Sequence, residues 1–361
     1  MVPCRLLEET LSFFTDRLGF RVAMVFPADD PSVAVVVGYG LRLRLERGRA
    51  GPPGTLRLLC DDPAALSDGA TPLVAPNGTR VELLPWDPPL VLPPLQPSFV
   101  LTRMADPADW KLGRAGMLYR DLIPDRQGGR FIASHIRIPD GGPVADYVHF
   151  HRVRFQMIYC YKGWARLVYE DQGPPFELRA GDCVLQPPRI RHRVLESSPG
   201  LEVIEVGCPA NHETLADLAL ELPNDGLQPD RDFEGQQFVR HAAAAATWRP
   251  GRVEGFESRD LGIATATRGI AAAHVSRRRA PSSPRAWSHD AELLFTFVLL
   301  GAATLHCEGR EPLRLDAGDA YVIPAGLGHS VADPSEDLHL LEVALPAELR
   351  VEAHAPGPSE A

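Results

Sequence analysis

Residues 5–20, RLLEETLSFFTDRLGF, place Leu7, Leu11, Phe14 and Leu18 at spacings of four, three and four. That is one apolar face of a helix, and Gly19 stops it. The period then shortens to that of strands. RVAMVF, SVAVVVGY, LRLRLE and TLRLLC follow in turn, and LRLRLE alternates strictly, which predicts one buried and one solvated face. APNGTRVELLPW predicts a turn at Asn77-Gly78 and one more strand. Residues 85–97, PWDPPLVLPPLQP, read as a proline-rich linker and a domain boundary. Beyond them short apolar runs punctuated by turn residues dominate, which predicts a β-rich remainder. Two stretches break that pattern. NHETLADLALEL, within 209–235, predicts a helix started by Asn211, and EAHAPGPSEA after Val351 predicts a disordered tail.

The β-rich part is repeated. GMLYRDL at 116–122 matches GFESRDL at 255–261, an offset of 139 shared by His135 with His274 and by Phe99-Val100 with Phe238-Val239. Gly163 matches Gly301 at 138, and Gly181, Pro187 and His192 match Gly318, Pro324 and His329 at 137. Duplication of one all-β domain accounts for this. The predicted organisation is a small α+β domain at 1–90, a first copy at 98–210, a helical linker at 211–235, a second copy at 236–348 and the tail at 349–361.

Composition narrows the partners. The net charge of −10 disfavours nucleic acid or an anionic membrane surface. No apolar run approaches the ~20 residues of a membrane span, and the first residues lack the pattern of a secretory leader. The 6 cysteines form no C-x-x-C pair, which predicts free thiols in a reducing cytoplasm.

The candidate chemistry lies in the first copy. In HFHRVRFQMIYCYKG, 149–163, His149 and His151 share one face of a strand, and Gln156 follows on the next. In GDCVLQPPRIRH, 181–192, His192 begins another strand. Two imidazoles from one strand, a third from a distant strand and an amide oxygen could converge, or could be buried and hydrogen-bonded only. The spacings H-x-H-x4-Q-x6-G and G-x5-P-x-R-x2-H resemble the two motifs of the cupin superfamily, with Gln156 where glutamate is usual and Arg189 where a glycine is usual. The resemblance implies tandem β-barrels, a bicupin, with one divalent metal (Fe, Mn, Ni, Cu or Zn) on His149, His151, Gln156 and His192. An all-neutral donor set would leave the ion its full charge and favour an anionic or enolised substrate.

Parity sorts the neighbours. With His192 inward, Arg191 and Arg193 point outward, as does Arg152, and Arg154 belongs to the same arginine-rich region. Arg189, in the irregular proline segment, is the better candidate for substrate, and Cys160 shares parity with Gln156. Tyr159 and Tyr161 fall on the opposite face as packing or interface residues, and His135 reads as an outward or interface histidine. In the second copy Trp287, His289, Leu294 and His329 take the four ligand positions. Two are lost, the bulk of Trp287 and Leu294 is expected to help fill the barrel, and nothing in the spacing of His306 or His339 compensates.

Residues 5–85 resemble the vicinal oxygen chelate superfamily (glyoxalase and bleomycin-resistance proteins), which pairs βαβββ modules. Glu82 falls where that family places a ligand glutamate, but no histidine precedes His135 and the second half is short. The resemblance therefore implies an accessory domain. Taken together, the expected protein is a cytoplasmic, homodimeric cupin enzyme acting on a small molecule, foremost a dioxygenase, alternatively a Lewis-acid isomerase, cyclase or decarboxylase, or a non-catalytic binding protein.

Overall fold

The computed structural model describes residues 2–69, 72–106, 110–281 and 285–354. The chain divides into two compact units, residues 1–89 and 90–361.

The first unit runs β1 (Val2–Cys4), α1 (Leu7–Ser12), β2 (Arg21–Phe26), β3 (Val33–Gly38), β4 (Leu41–Arg47), β5 (Thr55–Cys60), α2 (Pro63–Ser67), β6 (Leu73–Val74) and β7 (Arg80–Pro85), and α1 continues as a π-helical turn over Phe13–Arg17. The sheet order is β1-β4-β3-β2, with β1 parallel to β4, and a second sheet is ordered β5-β7-β6, with β5 parallel to β7. This is a βαβββ module followed by a shorter βαββ one. Phe14 and Leu18 from the predicted helical face pack on Val36, Leu45, Leu58 and Val81. Asn77 accepts from Thr79 N across the predicted turn. Glu82 pairs with Arg57 at 2.7 Å, as an ordinary strand-surface residue does.

In the second unit each copy forms a large and a small sheet. The large sheet of the first copy has seven strands, in the order Val239–His241, Cys183–Leu185, Phe155–Lys162, Leu201–Cys208, Ile132–Ile138, Leu118–Asp121 and Lys111–Leu112. Facing it are Phe176–Arg179, Trp164–Tyr169, His192–Ser197, His149–His151 and Thr214–Ala216. The second copy repeats the arrangement. The two copies exchange their leading strands: Val100–Thr102 pairs with Ala320–Val322 of the second, and Val239–His241 pairs with Cys183–Leu185 of the first. Phe99-Val100 and Phe238-Val239, matched in sequence, thus begin the two exchanged segments.

The alternation of the central strands decides how the copies join. Phe155, Met157 and Tyr159 point out of the first barrel and Leu293, Phe295 and Phe297 out of the second, and all six belong to one buried cluster. Gln156, Ile158 and Leu294 take the other parity and line the barrel cavities. His135, fully buried, lies within this inter-copy region: its ring meets those of Trp110, Tyr161 and Phe297, and its Nε2 bonds Glu202 at 2.6 Å. Tyr159 accepts from Arg259 of the other copy. The motif glycines have a steric cause. Gly163 has φ of 74°, and a Cβ there would lie 2.3 Å from Ser198 Oγ, which accepts from Trp164 N; Gly301 and Ser335 repeat the same contact.

Two expectations are corrected. Asn211 starts no helix: Thr214–Ala216 is a strand beside His149–His151. The residues after Val351 are not wholly disordered either, since Val351–Ala353 pairs with Trp287–His289; residues 355–361 lie outside those described. Offset by 137, these are the same element in both copies. Three residues are too few to show a period, and an open sheet edge captured them.

Removing a ring from the joint core should be costly. Phe295→Ala is expected to lower stability by about 3–5 kcal/mol, read from chemical denaturation. Glu202 gives the pH response. Burial pushes its carboxyl up, but the His135 hydrogen bond and the charges around it, Arg137 and Lys162 included, outweigh this and hold it at about 2. A depressed carboxyl stabilises the fold above its ordinary value near 4.5 and loses that contribution as pH falls toward about 2. Glu202→Gln should therefore flatten the acid limb of stability against pH.

Candidate metal centre

His149 and His192 are direct cross-strand partners, and His151 lies two residues on, so all three imidazoles face the same interior. Their ring centroids are 4.3 Å (His149–His192), 5.2 Å (His149–His151) and 5.3 Å (His151–His192) apart. One nitrogen from each lies within 4.8 Å of the others.

Backbone carbonyls fix the tautomers. Nδ1 of His149 bonds Tyr147 O at 2.8 Å and Nδ1 of His192 bonds Ile190 O at 2.9 Å, each two residues back along the chain. Nδ1 of His151 bonds Glu213 O at 3.3 Å, at the start of the strand that replaced the predicted helix. A carbonyl only accepts, so each Nδ1 carries the proton and each Nε2 keeps its lone pair. Nε2 of His149 is buried with no hydrogen-bond partner among the described residues. Burial, then neighbouring charge, keeps all three neutral: it lowers His149 and His192 and takes His151 to about 3. Neutral imidazoles with oriented Nδ1–H groups and uncommitted Nε2 atoms are what a divalent transition metal requires. The cluster can hold one such ion.

Gln156 lines the same cavity from the opposite sheet. Its Nε2 donates to Glu205 Oε1 at 2.6 Å, leaving its amide oxygen free to join the donor set. This revises the expected charge. Glu205 brings a carboxylate into a cavity that the spacing had made neutral, and it gives the amide at 156 a reason: a glutamate there would oppose Glu205. Gln156→Glu should create a carboxyl pair sharing one proton, raising one pKa. Its stability should then fall as pH rises through the neutral range, unlike that of the wild type, which melting temperature against pH would record.

The arginine that lines the cavity is Arg114, not Arg189. Arg114 is paired with Asp146, whose carboxylate also accepts from Tyr147 N and Val194 N. Arg189 pairs with Glu234 at 2.5 Å. Cys160 is enclosed in the barrel wall, its thiol directed at the carbonyls of Lys162 and Gly163 and pushed up to about 12 by burial first, then the Asp182 charge. Neither residue borders the cavity. Arg191 pairs with Asp217, Arg152 with Glu213 and Arg154 with Glu292, all away from it. His212 stands 5.2 Å from His151, ring to ring. Glu205 had a sequence signal: it recurs as Glu342, a charge in an apolar strand in both copies. Arg114 and His212 had none. The cavity is small, about 100 Å³, and walled by Ile136, Ile158, Leu167, Val194 and other apolar side chains.

The second copy keeps the register but not the full ligand set. Trp287 faces His329 as His149 faces His192, with centroids 4.2 Å apart. Both nitrogens of His289 are engaged by backbone, Nε2 with Ile323 O and Nδ1 with Ala291 N. Trp287 and Leu294 do not fill the barrel, as had been expected: a cavity of about 560 Å³ remains. His306 is exposed and His339 bonds Asp337 O, so neither joins it.

Purified protein should therefore carry one divalent transition metal per chain. His149→Ala should abolish it and His329→Ala leave it unchanged, by elemental analysis.

Comparison with known proteins supports this architecture. A family profile described as a cupin domain matches residues 278–344, within the second copy. Oxalate decarboxylase of Bacillus subtilis, as a variant, superposes with a TM-score of 0.52 at 14% identity, covering 74% of this chain and 81% of that one. The formate complex of the Lactobacillus farciminis oxalate decarboxylase gives 0.51 at 14%, covering 70% and 88%. A variant of salicylate 1,2-dioxygenase from Pseudoaminobacter salicylatoxidans gives 0.47 at 15%, covering 62% and 74%. Curated protein sequences give no match. No helix among the described residues is long and apolar enough to cross a membrane. Residues 278–344 thus match a cupin domain, and the two barrels together have the bicupin fold.

Proposed function

We propose that the chain is a mononuclear metal-dependent cupin enzyme acting on a small anionic or enolisable molecule, foremost as a dioxygenase. The observation that carries this is the set of three imidazoles, one nitrogen of each within 4.8 Å of the others, opening on a small apolar cavity. When bound, the metal supplies a Lewis acid and, if iron, manganese, nickel or copper, a redox centre to which oxygen donors can chelate. The chain's own groups do the rest. The carbonyls of Tyr147, Glu213 and Ile190 hold the imidazoles in one tautomer. The apolar wall excludes water and strengthens every charge interaction within. Arg114, paired with Asp146, borders the cavity and can turn further N–H donors toward an anionic substrate. The volume, about 100 Å³, suits a substrate of few atoms, at ~30 Å³ for one water.

A second reading rests on Glu205. Its carboxylate, held by Gln156, can accept or return a proton inside the cavity. That suits a decarboxylation in which C–C cleavage leaves an electron pair on carbon and the carboxyl form delivers the proton. The first unit, with its βαβββ module and no histidine, is read as an accessory domain of vicinal-oxygen-chelate type.

Oxygen uptake against small diketones, hydroxy acids, enols and dicarboxylates separates the two. One O2 consumed per substrate, in wild type and not in His149→Ala, supports the dioxygenase. Turnover releasing CO2 without O2 uptake overturns it in favour of the second reading. In that case Glu205→Gln should lower kcat by about 10²–10⁴ while leaving metal content unchanged.

A further inference from the structure

The second barrel has Trp287 and Leu294 at two of the four ligand positions and a cavity of about 560 Å³, within the ~300–1,000 Å³ of small-molecule sites. Its lining is not that of a filled core. Arg252 lies over the Trp287 ring at 4.2 Å, and its Nη2 donates to both oxygens of Glu342 at 2.9 Å. The stacking and the ion pair fix the guanidinium plane, and its Nε and Nη1 donors make no hydrogen bond among the described residues. Glu342 is the counterpart of Glu205, but with Leu294 in place of a glutamine its partner is an arginine. His329 bonds Leu327 O through Nδ1, and burial first takes it to about 4, so it is neutral and its Nε2 is an acceptor with no protein donor among the described residues. Arg249 and Arg285 also border the cavity, against Asp260 and Glu342. The charge of the lining is therefore positive, while Phe256, Trp287, Leu340 and Tyr321 supply apolar and aromatic wall.

We propose that the second barrel is a metal-free binding site for an organic carboxylate with an apolar, ring-sized body, the carboxylate taken by the spare donors of Arg252 and the body laid among the aromatic side chains. A guanidinium with N–H groups left on either side of its Glu342 contact can give a carboxylate a charge-assisted hydrogen bond, and stacking on Trp287 orients it in advance. The site rests on no metal and is independent of the reaction assigned to the first barrel.

Calorimetric titration of the full-length protein with benzoate, and with its neutral isostere benzamide, tests this. Benzoate is expected to bind one per chain with the same affinity in wild type and in His149→Ala, and benzamide about tenfold or more weaker. Arg252→Ala should weaken benzoate by about tenfold or more. Ser276→Trp, which blocks the cavity from a partly exposed wall position, should abolish binding even if Arg252→Ala proves unstable. Equal binding of benzamide, binding lost in His149→Ala but kept in Ser276→Trp, or no benzoate binding at millimolar concentration overturns the proposal.

Discussion

The architecture of the second unit depends on one packing constraint: the outward faces of two large sheets are apolar and cannot remain in water. Phe155, Met157 and Tyr159 meet Leu293, Phe295 and Phe297 in a single buried cluster. Because side chains alternate along a strand, committing this parity to the joint fixes the other parity inside each barrel. Gln156 is inward because Phe155 and Met157 are outward. A slip of one residue would move the amide into the joint and a phenylalanine into the cavity. The strand exchange reinforces the joint, since each copy completes its sheet with the other's leading strand.

The candidate metal centre uses the inward parity of the first barrel. Its chemistry is set less by the ligands than by what holds them. Three carbonyl acceptors choose the tautomer, burial keeps the rings neutral, and Glu205 holds the amide of Gln156. The second barrel shows how little the fold itself demands. Trp287 occupies the place of His149 at nearly the same spacing from its partner histidine, and the strand register is unchanged. The barrel thus tolerates replacement of its ligands, so folding alone does not account for the intact set in the first copy.

Period and repeat could be read from the chain. The helix over 5–20, the strands of the first unit, the duplication at offsets of 137–139 and the shared face of His149 and His151 follow from spacing alone. The convergence of His149, His151 and His192 was legible through the motif resemblance, and the direction of Arg191 away from the cavity through strand parity. His135 reads correctly as an interface residue, though the interface lies between the two copies of this chain.

What spacing could not supply is which distant strand comes to lie opposite. Glu205 meets Gln156 only because Leu201–Cys208 is hydrogen-bonded beside Phe155–Lys162, and that meeting changed the charge of the site. Arg114 enters the cavity from outside both motifs. Thr214–Ala216 and Val351–Ala353 became strands because an open sheet edge offered partners that neither segment's own sequence specifies. The emptiness of the second barrel was likewise not contained in the bulk of Trp287 and Leu294, since cavity volume depends on how far apart the sheets stand. The sequence by itself determined the periods, the copies and the ligand types, because these are local. The tertiary structure alone decided the partners, the charge and the space between them, because these arise between segments that are distant along the chain.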